Sequence, residues 1–404
     1  MRRCILILCL LLVATWIAAC DDLNTSDDPV ARTDPETAEE DAAPKLLPSH
    51  LQLFVEREQV PICHRPFGLA LSPNEDTVFV ACAGSGQVAA LDTEFFDRTW
   101  TTDPLHDRVF KLLADPRRPR LYAIGMNGGR VHVIDTKTGR LEKSLPLGGA
   151  IADIALVPGR DRLIATVTQP SRAVIFDLAT LTETGHVDFP SPPGSLALRP
   201  DGGLAAAGSG LWKRMVRKSA AVKEPVYLFD PQHPGRILAD LGLGGTQTRQ
   251  PLFLADGRTL LVPERTSDTV SVFDVEERRL IRTIQVGAAP EKLLATPNGR
   301  WAFSLDSRGA SITRIDLRRK QTAGLVVLPT NPQDMIVSPD GIQLYAALAC
   351  RDGRQGEIAV IDVETATVLD RIQVGSDPCA MTTTHAGRKL IVSNFRSDTI
   401  SILE

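Results

Sequence analysis

From residue 51 onward the chain runs in short apolar stretches broken by polar turns, and the phrase repeats. Each copy has an apolar stretch, a Pro or Asp-Gly turn, a second stretch, a polar gap, a third stretch ending in Asp, and a fourth. One clear copy has Asp334-Met335-Ile336-Val337 before Ser338-Pro339-Asp340-Gly341, then Gln343 to Leu348, Glu357 to Asp362 and Thr367 to Val374. The stretches have strand lengths and no long amphipathic helical spacing appears, so each copy predicts four β-strands. Turn anchors fall at Pro73, Pro116, Pro158, Pro200, Ala255, Pro297, Pro339 and Ala386, spaced 43, 42, 42, 55, 42, 42 and 47 residues apart. The third strands end at Asp92, Asp135, Asp177, Asp230, Asp274, Asp316 and Asp362, and the eighth at Glu404. A carboxylate there accepts hydrogen bonds from the next backbone N–H groups and starts a tight turn.

A period near 42 residues with four strands per copy excludes alternating strand and helix and fits an all-β propeller of four-stranded antiparallel blades. Eight copies predict eight blades. A seven-bladed ring is the rival, because the fourth copy is irregular and carries an insertion. The last copy lacks a fourth strand, and Leu51 to Val55 offers a spare one. Pairing of the N- and C-terminal strands would close the ring and remove two exposed edges.

These copies resemble the YVTN family of bacterial β-propellers. The resemblance rests on Ser338-Pro339-Asp340-Gly341 with Leu344-Tyr345, Val360-Ile361-Asp362 and Ile372-Gln373-Val374-Gly375, and on Ser271-Val272-Phe273-Asp274 with Ile284-Gln285-Val286-Gly287. It implies the fold over residues 51–404; activity does not follow, because one fold hosts many chemistries.

The first twenty residues read differently. Arg2 and Arg3 precede an apolar run from Ile5 to Trp16, too short for a permanent span, which needs about 20 residues. It ends in Ile17-Ala18-Ala19-Cys20, which resembles the lipobox of bacterial lipoproteins. That resemblance implies a signal peptide over residues 1–19, lipidation of Cys20, and a protein held to the membrane of the cell envelope by a lipid anchor, facing the periplasm or exterior. Residues 20–50 follow as a disordered acidic linker. Residues 21–50 hold nine acids and two bases and almost no large apolar groups, so burial cannot offset chain entropy.

Charge narrows the function classes. The chain has 45 basic and 49 acidic residues, a net charge of −4, and its propeller part is close to neutral. That balance argues against a nucleic-acid binder working through phosphate neutralisation. There is no nucleotide loop, Gly-x-Ser-x-Gly elbow or zinc-protease motif, and no Cys-x-x-Cys-His for covalent haem, so no catalytic residue is assigned.

In a propeller the connections from a fourth strand to the next first strand, and from second to third strands, gather on one face. There the first kind carries Cys63, His64, Arg65, Asp153, Arg249, Glu291, Lys292, Asp334 and Cys379. The second carries Cys82, Asn127, Gln169, Arg265, Asp306, Arg308, Cys350, Arg351, Asn394 and Arg396. The arginines with interspersed acids suit a small polar or anionic ligand or a protein partner, although loop ends are also polar simply because water is there. Cys63, Cys82, Cys350 and Cys379 remain after export, an even number that suggests disulfides 63–82 and 350–379 among three pairings. A thiolate–imidazole site with His64 is the alternative. A mouth histidine also resembles the iron ligand of haem d1 propellers, and lactonase-type propellers share the architecture. His132 and His186 fit structural positions. The insertion holds Trp212, Lys213, Arg214, Met215, Arg217, Lys218 and Lys223, a basic loop suited to a partner or lipid headgroups and equally to solvent. The leading expectation is a tethered, non-catalytic binding scaffold; the alternatives are a cofactor- or metal-binding redox protein or its assembly factor, and a lactonase-like hydrolase.

Overall fold

The structure is a computed structural model that describes residues 54–126, 128–209, 225–243, 247–349, 355–384 and 387–404. All its described regular structure is β, in eight four-stranded antiparallel sheets. Blades 1 to 7 are consecutive in the chain and begin with inner strands at Pro66–Leu71, Val109–Ala114, Ile151–Leu156, Pro193–Leu198, Leu252–Phe253, Pro290–Ala295 and Pro332–Val337. Blade 8 begins at Pro378–Thr383, and its outermost strand comes from the other end of the described chain, Glu56–Pro61 paired with Thr399–Leu403. The inner strands of blades 8 and 1 lie side by side, so the ring is closed with eight blades rather than seven.

The closing strand lies a few residues beyond the spare stretch expected at 51–55. Its sequence, Glu-Arg-Glu-Gln-Val-Pro, carries no apolar alternation. An outermost strand needs only backbone pairing, and the anchoring burial comes from Phe54, packed edge-on to Tyr345 at 5.4 Å. Leu51 to Leu53, Asn127, Cys350, Arg351, the insertion and everything before residue 54 lie outside the described residues.

The core is divided among the blades. Each of the eight blade–blade interfaces has its own apolar cluster, such as Phe79, Ala81, Val109 and Leu121 between blades 1 and 2, and Phe303, Met335 and Leu344 between blades 6 and 7. Second and third strands are almost wholly buried, while fourth strands face water, as in Arg279–Gln285. This explains why the middle strands read as continuous apolar runs. Full burial of such a side chain contributes about 1.5–3 kcal/mol.

The third-strand aspartates close the outer hairpins as their sequence predicts. Asp135 accepts from Lys137 N at 3.1 Å and Thr138 N at 2.8 Å; Asp177 accepts from Ala179 N and Thr180 N, both at 2.9 Å. The Thr180 backbone bond leads the interactions that hold Asp177 below the usual carboxylate range.

Candidate functional site

Seven of the inner strands share one local device. Their pairing shifts register near the first residue, as between Val109 and Lys111, Ile151 and Asp153, Pro290 and Lys292, and Pro332 and Asp334. Such a bulge re-aims the side chains around it. The second position then carries Phe67, Phe110, Glu291 and Cys379 in blades 1, 2, 6 and 8, and the third carries Lys111, Asp153, Lys292 and Asp334 in blades 2, 3, 6 and 7; in blade 5, Arg249 precedes the inner strand, next to Thr248, which bridges to Glu264.

The third-position charges are committed to one another. The ammonium of Lys111 contacts the carboxylate of Asp153, whose other oxygen accepts from Leu196 N at 2.8 Å. Half a ring away, Lys292 Nζ lies 2.5 Å from Asp334 Oδ1, and Asp334 Oδ2 accepts from Met381 N at 3.0 Å. Each aspartate thus bridges the blade before it and the blade after it. Of the expected mouth residues, Asp153, Lys292 and Asp334 are placed here, on the inner strands, as links between blades.

Asp306 is fully buried at the end of the second strand of blade 6. It accepts from Ser304 Oγ at 2.7 Å, Thr313 Oγ1 at 2.6 Å and Ser311 Oγ at 3.2 Å. Burial pushes its carboxyl up to about 6 against these bonds. Asn394 occupies the same place in blade 8 and donates to Thr399 Oγ1 at 3.1 Å and Ser401 Oγ at 2.9 Å. Both residues tie second strands to third strands. His132 is likewise buried, with Nδ1 3.0 Å from Ser144 Oγ and Nε2 3.8 Å from Asp107. His186 sits beside Glu183 at 3.0 Å on an outer strand.

The remaining expected residues that are described fall into separate local groups. Arg265 and Arg249 converge on Glu291, at 3.1 and 3.8 Å. Arg396 reaches Asp377 at 3.4 Å. Arg308 is exposed. At the junction of blades 8 and 1, a disulfide joins Cys63 to Cys82, as expected from antiparallel pairing of the strand ends. Cys379, expected to pair with Cys350, has its sulfur 3.4 Å from Ser393 Oγ.

The disulfide ties down a short connection. Ala83 N donates to Arg65 O at 3.0 Å and Gly84 N to His64 O at 2.9 Å. The carboxylate of Asp398 receives Arg65 N at 2.8 Å and faces His64 Nδ1 at 3.2 Å. Burial works to raise Asp398, but the bonds from Arg65 N and His64 outweigh it and hold the group below its ordinary value. Arg65 has φ +54°, a left-handed backbone costly for a residue with Cβ and maintained by these constraints.

Held this way, Arg65 meets an arginine the sequence reading passed over. Arg108 precedes the inner strand of blade 2 as Arg65 precedes that of blade 1, each eight residues before its turn anchor. Gly68 permits the approach: a Cβ there would lie 2.3 Å from Phe110 O. Burial, and then the positive charge of Arg65, hold Arg108 below its usual value. Both residues are half-buried; among the described residues neither guanidinium makes a side-chain hydrogen bond or close ion pair, although Arg65 lies within electrostatic reach of Asp398. Arg65 instead lies 5.4 Å over the ring of Phe395. Among the described residues no three His, Cys, Asp or Glu side chains converge as a metal site.

Known proteins resemble the chain chiefly in architecture. Residues 247–388 match the YNCE-like beta-propeller family. The seven-bladed beta-propeller protein Rv1057 of Mycobacterium tuberculosis is 26% identical over 149 residues, 36% of this chain and 37% of that protein. Antigen Lp49 of Leptospira interrogans is 21% identical over 291 residues, 71% of this chain and 55% of that protein. The chain therefore matches about half or less of the length of these curated relatives. Among solved structures, the dihydro-heme d1 dehydrogenase NirN in complex with DHE superposes with a TM-score of 0.63 at 14% identity, covering 77% of this chain and 67% of that one. Strand order, ring closure and these likenesses together make the chain a β-propeller protein.

Proposed function

We propose that the protein is a non-catalytic binding module whose loop-lined mouth takes an anionic ligand, and that export and lipidation at Cys20 tether it outside the cytoplasm. The observation that carries the binding reading is the half-buried Arg65, held 5.4 Å over the ring of Phe395, near the half-buried Arg108, whose guanidinium makes no hydrogen bond or ion pair among the described residues. Desolvating two like charges side by side is unfavourable, and an anion placed between them relieves both the repulsion and the unmet donors. The Cys63–Cys82 disulfide and the Asp398 bonds hold one of the two in place before any ligand arrives. Preorganisation of this kind lowers the cost of binding. Calorimetric titration of the full chain with carboxylates and phosphates tests the reading: saturable binding that Arg65→Met weakens supports it, and binding indifferent to that change sinks it. Membrane fractionation of a Cys20→Ala variant tests the tether; retention of the variant in the membrane would refute it.

One observation favours a second reading, a cofactor-binding redox protein. His64 is 60% exposed at the side chain and its Nδ1 faces Asp398, an arrangement that orients imidazole Nε2 as a metal ligand. NirN, a structural neighbour, is described as a dihydro-heme d1 dehydrogenase. His64 with Arg65 and Arg108 would fit a metal tetrapyrrole with acidic arms. Titration with such a pigment, followed by absorbance, should show a bound spectrum sensitive to His64→Ala; an unchanged spectrum would remove this reading.

A further inference from the structure

We infer that the outer rim of blades 5 and 6 rests on an anionic lipid bilayer, with headgroup phosphates on Arg318 and Lys320 and part of an acyl chain in the cleft between the blades. The inference depends neither on the anion seat at the mouth nor on lipidation of Cys20. A cleft of about 160 Å³ opens between these two blades. Leu261, Val272 and Ile284 of blade 5 and Leu317 of blade 6 give it an apolar wall, and Arg318 and Lys320 line it as well. The fourth strands of the two blades, Arg279–Gln285 and Gln321–Val327, are joined by a hydrogen bond from Thr322 Oγ1 to Gln285 O. Seven large apolar side chains stand in water among the described residues; Leu280, Ile281, Leu325 and Val327 are four of them, so exposed apolar surface concentrates on these two strands.

At the mouth blades 5 and 6 pair their charges; at the outer rim cations are left over. Asp274 and Glu277 hold Arg258 and Arg279, Glu276 holds Arg199, and Asp316 faces Arg319 at 4.0 Å. Asp256, also on the cleft wall, is turned into its own hairpin by bonds from Arg258 N at 2.9 Å and Thr259 N at 2.8 Å. Arg278, Arg282, Arg318 and Lys320 make no side-chain hydrogen bond or ion pair among the described residues. The fold does not demand this surplus. The matching cleft between blades 2 and 3 is lined by Arg117, Arg118 and Leu178, but there the two arginines lie 3.3 and 3.1 Å from Asp161. Leu178 is followed by Ala179, Thr180 and Leu181, where Leu317 is followed by Arg318, Arg319 and Lys320. An acidic peptide would satisfy the cations and leave the four apolar side chains in water. A plain apolar face would cover those and strand the cations. A bilayer surface, with phosphates directly above hydrocarbon, meets both needs.

The test uses the full chain on vesicles of phosphatidylglycerol whose acyl chains carry bromine, which quenches indole fluorescence on contact. Leu325→Trp reports the rim of blade 6, and Leu141→Trp reports the rim of blade 2 across the ring. Expected is quenching in the first variant and none in the second. Adding Arg318→Gln and Lys320→Gln to Leu325→Trp should weaken that contact roughly thirtyfold, since two cations leave an anionic surface. Brominated phosphatidylcholine should give none. Co-sedimentation of the same samples reads attachment by any part of the chain. A chain that sediments with the vesicles while the 325 indole stays unquenched overturns the inference and leaves the tether standing. Quenching that survives Cys20→Ala supports the inference whatever becomes of the tether. Equal quenching on both rims, or quenching indifferent to Arg318→Gln with Lys320→Gln, overturns it. So does a dimer in vesicle-free solution that Leu325→Arg dissolves, because the apolar strands would then face a second copy of the chain.

Discussion

Blades 1 and 2 stand opposite blades 5 and 6 in the eight-membered ring, and the two pairs use one plan for different ends. Lys111–Asp153 and Lys292–Asp334 are the same link between an inner strand and the next, at matching positions. Above that link the pairs diverge. Six residues before their turn anchors, blades 5 and 6 place Arg249 and Glu291 where blades 1 and 2 place Phe67 and Phe110. Where Arg265 finds Glu291 at 3.1 Å, Arg65 lies over an aromatic ring with Asp398 in electrostatic reach, and Arg108 makes no ion pair among the described residues. Where the second strands of blades 5 and 6 end in buried acids, Glu264 and Asp306, that of blade 1 ends in the disulfide-bonded Cys82. One side is electrically complete and the other is not. Counting arginines around a mouth therefore says little about binding; the state of their pairing decides.

The comparison can be broken from the blade 1 side first. Replacing Cys63 and Cys82 by Ser and Ala removes a cross-link between residues 19 apart, and urea denaturation should show a loss of about 3 kcal/mol, with weaker anion binding as Arg65 loosens. Next, Arg108→Glu would give Arg65 the carboxylate that Arg265 already has. Calorimetry should then register roughly a hundredfold loss of anion affinity, about 2.7 kcal/mol. On the blade 6 side, Asp306→Asn copies the Asn394 arrangement of blade 8. Because burial raises the folded Asp306 carboxyl to about 6, above its unfolded value, the folded state holds the proton more tightly. Its contribution is present at low pH and is lost as pH rises from about 4 to about 6. The parent should lose about 3 kcal/mol across that window from this group, and the variant should not, as pH-dependent denaturation would reveal. The smallest effect belongs to Arg265→Gln, which should alter anion affinity less than twofold because Glu291 already occupies that guanidinium. A larger loss would mean that the two sides act as one site.

Much of the architecture was legible because the propeller repeats its turn chemistry. Pro339-Asp340-Gly341 and the third-strand aspartates mark every hairpin by local hydrogen bonding, which sequence records directly. Eight blades and closure by both chain ends followed from counting. The start of the closing strand did not, since Glu56–Pro61 is held by backbone pairing that leaves no side-chain pattern. At the mouth, residue type was readable and pairing was not. Asp153, Lys292 and Asp334 looked available because their partners lie one whole copy away along the chain. Arg108 was missed because its loop carries no motif. Superposing the copies on their turn anchors would have exposed it, since only blades 1 and 2 place a cation eight residues before the turn.

The seam of blade 8 sets an order on how the molecule is made. Glu56 lies opposite Leu403 and Pro61 opposite Thr399, so the first strand formed pairs with the last. During synthesis, Glu56–Pro61 must wait with its hydrogen-bonding edge unpaired while seven blades emerge and stack. Contacts between residues so distant along the chain form late and slowly. Until Thr399–Leu403 arrives the ring is an open arc with two raw edges, and that interval is when neighbouring chains could join in its place.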